Sequence, residues 1–357
     1  MSGGKRFFNA ILRFVQTLLT ITATSLLVFF ATLYFTDSRI AADLADSCLS
    51  CKKPRVTVIS PLQGINSDGW STAKDWITAI SPITTEPKIV PELNPTEQQS
   101  IAVNRINHYR NLAGLEPVTL NESINKAAEA HAQYNARHTR PGHQEVPGEV
   151  GFTGVWPWDR MKYFGYEKFT YATEVASIRW ASHDRFLRID PEWAVNGWMD
   201  TVYHRFPIIS PNVYEAGFGV SQVDKQLSYV MDFANPGFPE KRRMIHYPID
   251  GQDGVPVKFT GDETPDPLPG KTYPVGYPIT VTFNGYKNIK IKDIRLTGTK
   301  GVSVDFYRLL PYSDNFIWDS LAIIPKHPLE GSMVYRVAVD ASADGESVQL
   351  EWSFKTK

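Results

Sequence analysis

Hydrophobic and polar positions along the chain fall into four regimes, each predicting a different kind of structure. From 14 to 35 there are 22 residues without a charge, FVQTLLTITATSLLVFFATLYF. As a helix rising ~1.5 Å per residue they extend about 33 Å, the thickness of a bilayer's hydrocarbon core. Lys5, Arg6 and Arg13 precede the run and no acidic residue comes before Asp37, an asymmetry that keeps residues 1–13 cytoplasmic and places the rest outside. A cleavable signal peptide carries only about 7 to 15 apolar residues, so the expectation is an uncleaved transmembrane signal anchor at 14–35. Residues 36–93 have no sustained apolar period and carry Pro54, Pro61, Pro82, Pro87 and Pro91, the pattern of an extracytoplasmic stem.

A helical period begins at residue 94. Asn94 is placed to cap, Pro95 to occupy the first helical position, Glu97 to close a capping box and Gly114 to end the helix. A helix over 95–113 follows, with Ala102, Ile106, Tyr109 and Ala113 on one stripe. A second opens at Asn121 and puts Ile124, Ala128, His131 and Asn135 on its packed face, so His131 reads as a core residue. Asp190-Pro191-Glu192 repeats the cap pattern and predicts a third helix to about Tyr203. Strand-like runs at 215–221 and 227–234 complete a unit spanning 94–236.

Asn235-Pro236-Gly237-Phe238-Pro239 interrupts the pattern, and 237–254 reads as a linker. Over 255–357 the period becomes two, with strands expected at 257–259, 279–283, 289–296, 302–306, 321–324, 334–339 and 348–354. Seven short strands with turns between them predict an all-β sandwich. Asp344-Gly345 marks the final hairpin. Asp262, Glu263 and Asp266 lie among prolines and read as a solvated turn rather than a Ca²⁺ site. The fold class is therefore α+β, with an all-β C-terminal part and an N-terminal membrane helix.

Composition narrows the function. Lys and Arg total 37 against 38 Asp and Glu, a net charge of -1, so no global field draws the chain to nucleic acid. Cys48 and Cys51 are the only cysteines. That excludes a disulfide framework and a multi-Cys zinc site, and leaves His and carboxylates to hold any metal. A bridge within or between chains suits the pair better than redox chemistry, for no βαβ pattern surrounds it. There is no Gly-x-Ser-x-Gly elbow, no phosphate loop and no His-Glu-x-x-His zinc signature.

A series of segments, in order, carries a family resemblance: NRINHYRNLAGL at 104–115, KAAEAHAQYNARH at 126–138, GH at 142, DRMKYFGY at 159–166, WMDTVYHRFPIISPNVYEAGFG at 198–219 and LSYVMDFANP at 227–236. Together they resemble the bacterial branch of the CAP superfamily, the SCP-like fold of cysteine-rich secretory, antigen 5 and pathogenesis-related-1 proteins. The resemblance implies an α-β-α sandwich with a cleft lined by two His and two acidic residues. His143 falls on the first His, and Glu174 on the Glu of a Gly-Glu-Asn triplet that is Thr173-Glu174-Val175 here. His204 falls on the second His. The place of the second acid is held by Thr201; Asp200 is adjacent, and Glu215 matches a Glu of the bacterial pattern. The C-terminal part resembles bacterial Ig-like modules.

Two neutral imidazoles and a carboxylate suffice to hold Zn²⁺ with one position open for a water nucleophile. The same groups can hold a polar ligand without chemistry. The leading expectation is a single-pass cell-membrane protein whose outward-facing CAP domain binds an envelope or extracellular small molecule, lipid, peptide or glycan through His143, Glu174, His204 and Glu215. A metal-dependent, peptidase-like hydrolase would use His143, His204 and Glu174 as ligands and Glu215 or Asp200 as general base. A structural protein would adhere through the sandwich and leave the cleft idle.

Overall fold

The computed structural model describes residues 94–138, 142–180, 188–313 and 315–357. The expected anchor at 14–35, the stem and Cys48 and Cys51 lie outside the described residues. No described helix is long and apolar enough to cross a membrane.

The first helix, α1 (Pro95–Leu112), starts as its sequence predicts: the Asn94 side chain accepts from the Glu97 N–H and the Glu97 carboxylate from the Asn94 N–H, each at 3.0 Å. It is followed by β1 (Thr119–Leu120), α2 (Glu122–Arg137), α3 (Pro157–Tyr163), β2 (Tyr171–Trp180), α4 (Pro191–Met199), α5 (Arg205–Ile208), β3 (Glu215–Val223) and β4 (Gln226–Asn235). The strands form one sheet in the order β1-β3-β4-β2. Because strand side chains alternate, Leu227, Tyr229, Met231 and Phe233 of β4 join a core with Ala102 and Ile106 of α1 and Val195 and Trp198 of α4. Val230 packs with Ala128 and Ala132 of α2 on the opposite face, and Ala234 with Ile124 and Ala127. Helices on both faces make the expected α-β-α sandwich.

The third predicted helix is shorter than expected. It stops at Met199, and the backbone N–H groups of Val202, Tyr203 and His204 turn to the Glu263 carboxylate, at 2.8, 2.7 and 3.1 Å, instead of to helical carbonyls.

The segment expected as a linker carries two strands, β5 (Arg243–Tyr247) and β6 (Gln252–Val255). Then come β7 (Lys258–Phe259), β8 (Val275–Gly276), β9 (Ile279–Asn284), β10 (Ile289–Thr297), β11 (Phe306–Leu309), β12 (Ser320–Pro325), β13 (Val334–Ala343) and β14 (Glu346–Thr356). They build four-stranded sheets ordered β10-β13-β14-β6 and β11-β12-β9-β5, plus the β7-β8 pair, which fits an Ig-like module. The strand expected at 302–306 sits later, at β11. Asp344 and Gly345 both have positive φ, 51° and 88°, as a type I′ hairpin needs.

The two parts share buried structure: Tyr109, Ile208 and Ile209 belong to the same core as Tyr247, Tyr277 and Ile279. Buried Arg205 donates to the Pro278 carbonyl at 2.7 Å, its guanidinium 4.8 and 5.1 Å from the Tyr247 and Tyr277 ring centres. Arg110, also buried, donates to the carbonyls of Glu116, Ile208, Ser210 and Val213 at 2.8, 2.9, 2.8 and 3.0 Å. Burial lowers its pKa to about 10, so it remains a cation at neutral pH.

Candidate functional site

Alternation along β2 and β4 places Glu174 and Asp232 directly opposite each other. Facing carboxylates repel, and neighbouring elements resolve the conflict. Arg160 of α3, wholly buried, donates through Nη2 to Glu174 Oε2 and through Nη1 to the His143 carbonyl at 3.1 Å. His131 of α2 sits between two carboxylates, with Nδ1 3.0 Å from Glu145 Oε1 and Nε2 3.5 Å from Glu174 Oε1. His143, in the loop after α2, places Nδ1 2.7 Å from Glu174 Oε1.

Burial pushes the Glu174 pKa up, but the charges of Arg160, His131 and His143 outweigh it and hold the carboxyl well below its ordinary value. Asp232 moves the other way: burial, then the Glu174 charge, raise it well above 3.8. Neither Asp232 oxygen receives a hydrogen bond from the described residues, and a proton on Asp232 allows it to donate to Glu174. Burial disfavours the His143 cation, yet Glu174 prevails and its pKa is raised.

These shifts act oppositely on stability. Glu174 contributes stability above pH about 4.5 that is lost as pH falls toward its depressed folded value. Asp232 keeps a proton that the unfolded chain releases above about 3.8, so it costs stability increasingly as pH rises toward its folded pKa. Asp232→Asn retains a donor without that cost. It is expected to raise the melting temperature at pH 7, by about 2–4 °C per kcal/mol relieved, and to lose the advantage near pH 4. Melting curves across that range check this, and an unchanged or lower Tm at pH 7 would contradict it.

His143 and Glu174 open onto a cleft of about 500 Å³ that His204 also lines. The His204 Nδ1 lies 2.9 Å from Glu263 Oε1, and the Glu263 side chain is fully buried. Asp262 and Asp266 are exposed, as a solvated turn expects, but Glu263 is drawn inward by three backbone N–H groups and an imidazole. Thr264, Pro265, Phe316, Trp318 and Asp319 extend the wall, so both parts of the chain build the cleft.

Of the residues expected from sequence, His143, Glu174 and His204 meet at this cleft. Glu215 and Asp200 are not among its lining residues. Glu215 accepts from Tyr166 Oη and from Asn121 Nδ2 at 3.2 Å. Asp200 accepts from Tyr277 Oη at 2.9 Å, and burial raises its pKa. Arg160 and His143 take both oxygens of Glu174, so of the ligand set expected from sequence two imidazoles are left, one short of the three protein ligands of a catalytic zinc. Among the described residues no group of three or more His, Cys, Asp or Glu is arranged to hold a metal. Glu263, Arg160 and Glu145 were not among the site residues expected from sequence: Arg160 lies in the DRMKYFGY segment with nothing in it to mark a site role, Glu145 sits in no recognisable motif, and only its place in an acidic cluster marked Glu263.

Residues 103–233 match the CAP family of cysteine-rich secretory proteins. Similar solved structures include an outer surface protein of Borrelia burgdorferi, at 16% identity and TM-score 0.34, the match covering 41% of this chain and 98% of that one. An extracellular SCP-domain protein of Bacillus anthracis has 18% identity and TM-score 0.31, covering 39% of this chain and 41% of that one. A cysteine-rich secretory protein of Staphylococcus aureus has 20% identity and TM-score 0.28, covering 41% and 40%. No curated protein matches the chain.

Proposed function

Given that residues 103–233 are a CAP domain, we propose that the protein is a binding module, held at the outer face of a membrane by residues 14–35, that captures an envelope or extracellular ligand in the His143/His204 cleft. The observation that carries this reading is the cleft's construction. Each imidazole is oriented by a buried carboxylate, Glu174 or Glu263, so ring nitrogens are held in fixed directions toward a concave, partly apolar space typical of small-ligand sites. The hydrolase reading has less support: Glu174, the carboxylate expected as a ligand, is taken by Arg160 and His143, and both candidate bases lie elsewhere. On this reading the Ig-like part completes the binding wall rather than acting as a separate adhesin.

The test uses the full chain and follows from Glu263. Glu263→Ala leaves three backbone N–H groups without their acceptor and frees the His204 ring, and is expected to cost about 1.5–3 kcal/mol of stability. The protein is incubated with an extract of bacterial envelope, washed, denatured, and the released molecules identified by mass spectrometry. A molecule retained by the parent and lost from His204→Ala and Glu263→Ala, measured well below their melting temperatures, is the expected result. Retention by both variants, or no retained molecule of any class, would overturn the reading.

A further inference from the structure

The proposed cleft ligand can be given a chemical class from the rim. Trp318 and Phe316, 68% and 54% exposed, stand in the segment before β12, and Tyr171, 42% exposed, stands at the start of β2. All three line the cleft. The Trp318 ring is held by its Nε1–H, which donates to the Asn315 carbonyl at 3.1 Å, and Phe316 rests against Tyr203 with ring centres 5.3 Å apart. Large aromatic groups exposed together at a cavity mouth mark a recognition surface more often than a fault of packing.

Charge and polarity narrow the choice. Among the described residues no Lys or Arg lines the cleft, while Glu240 and Asp319 do. Asp319 has its carboxyl pKa raised by burial and touches the Ser320 hydroxyl at 3.0 Å. An anionic polymer or a phosphate headgroup would meet carboxylates there with only the two imidazoles to answer it. An acyl chain prefers an apolar enclosure, whereas this space also carries Ser210, Asn212 and Thr173. A pyranose ring matches both sets: its C–H face stacks on an aromatic ring, and its edge hydroxyls donate to carboxylates and amide oxygens. The cleft's volume of about 500 Å³ is in the range of small-ligand pockets and holds roughly two or three such rings. We propose that Trp318, Phe316 and Tyr171 form a stacking platform for an uncharged polysaccharide, whose hydroxyls are received by Asp319 and Glu240. This rests on the cleft being the ligand site.

The full chain is titrated with hexa-N-acetylchitohexaose, cellohexaose and maltohexaose, with polygalacturonate and phosphatidylcholine vesicles for comparison, following tryptophan fluorescence and heat. At least one neutral hexasaccharide is expected to bind saturably, and Trp318→Ala to weaken it about tenfold. Trp318→Phe should recover most of the loss, and melting temperatures should stay unchanged because the ring is exposed. Phe316→Ala provides a second, independent loss. Binding that survives both alanine variants would overturn the platform. No binding of any neutral hexasaccharide, or tighter binding of polygalacturonate or the vesicles, would overturn the glycan class. In that event a molecule still recovered from envelope extract in a His204-dependent way would leave the cleft reading standing.

Discussion

Arg160→Leu is expected to lower the unfolding free energy by about 3–5 kcal/mol, because removing one partner of a buried ion pair strands the other in a medium that cannot solvate it. Arg160 is wholly buried and, among the described residues, is the one guanidinium against Glu174, with its Nε 3.8 Å from Glu145 Oε1. Without it, three carboxyl groups (Glu145, Glu174 and Asp232) share the interior, among the described residues, with the buried His131, since the His143 side chain is 44% exposed. The double variant Arg160→Leu/Glu174→Leu should lose less than the single change, since it removes both charges. Denaturant unfolding of the full chain decides between the outcomes. A single-variant loss below about 1 kcal/mol would mean that water or a rearranged histidine replaces the guanidinium.

The second large effect concerns the contact of α2 with β3. A Cβ on Gly217 would lie 2.2 Å from the Ile124 carbonyl carbon and 2.3 Å from the Asn125 nitrogen; one on Gly219 would lie 2.3 Å from the corresponding atoms of Ala128 and Glu129. These neighbours are backbone, so the helix itself must move. Asn125 Oδ1 also accepts from the Phe218 N–H at 3.0 Å, a bond that the displacement breaks. Each alanine is expected near or above the top of the ~1–3 kcal/mol range for overpacking, and the pair together above about 4 kcal/mol. Gly197→Ala is the control: nothing lies within 4 Å of its added Cβ, and inside α4 it should stabilise by roughly 0.5–1 kcal/mol. Equal stability of the three variants would refute the close-approach account.

Local chemistry made much of the fold legible. The Asn94 capping box and the Asp344-Gly345 turn involve residues within three positions of one another, and both form as their spacing predicts. Alternation in 227–234 likewise anticipates β4. What stayed hidden depends on residues far apart in the chain. Nothing near Met199 ends α4 early; the cause is a carboxylate 59 residues beyond His204. The segment 237–254 looks like a linker because its prolines and glycines punctuate it, yet β5 finds a partner in β9. At the site, His143, Glu174 and His204 could be named from the ordered segments, whereas the residues that orient or charge-balance them, Glu263 and Arg160, are joined to them only by folding.

The Arg110 side chain gives the cleft a property that its lining residues do not reveal. By gathering the carbonyls of Ile208, Ser210 and Val213, it ties down the loop that presents Ser210 and Asn212 to the cleft. Lysine could not replace this fork, since an ammonium lacks the planar spread of five donors. The entropy of ordering that floor is therefore lost once, when the chain folds, and not again when a ligand arrives. On the proposed binding reading, selectivity then falls to the rim, where Trp318 and Phe316 are exposed, so substitutions in the segment before β12 would change what is bound while leaving the floor intact.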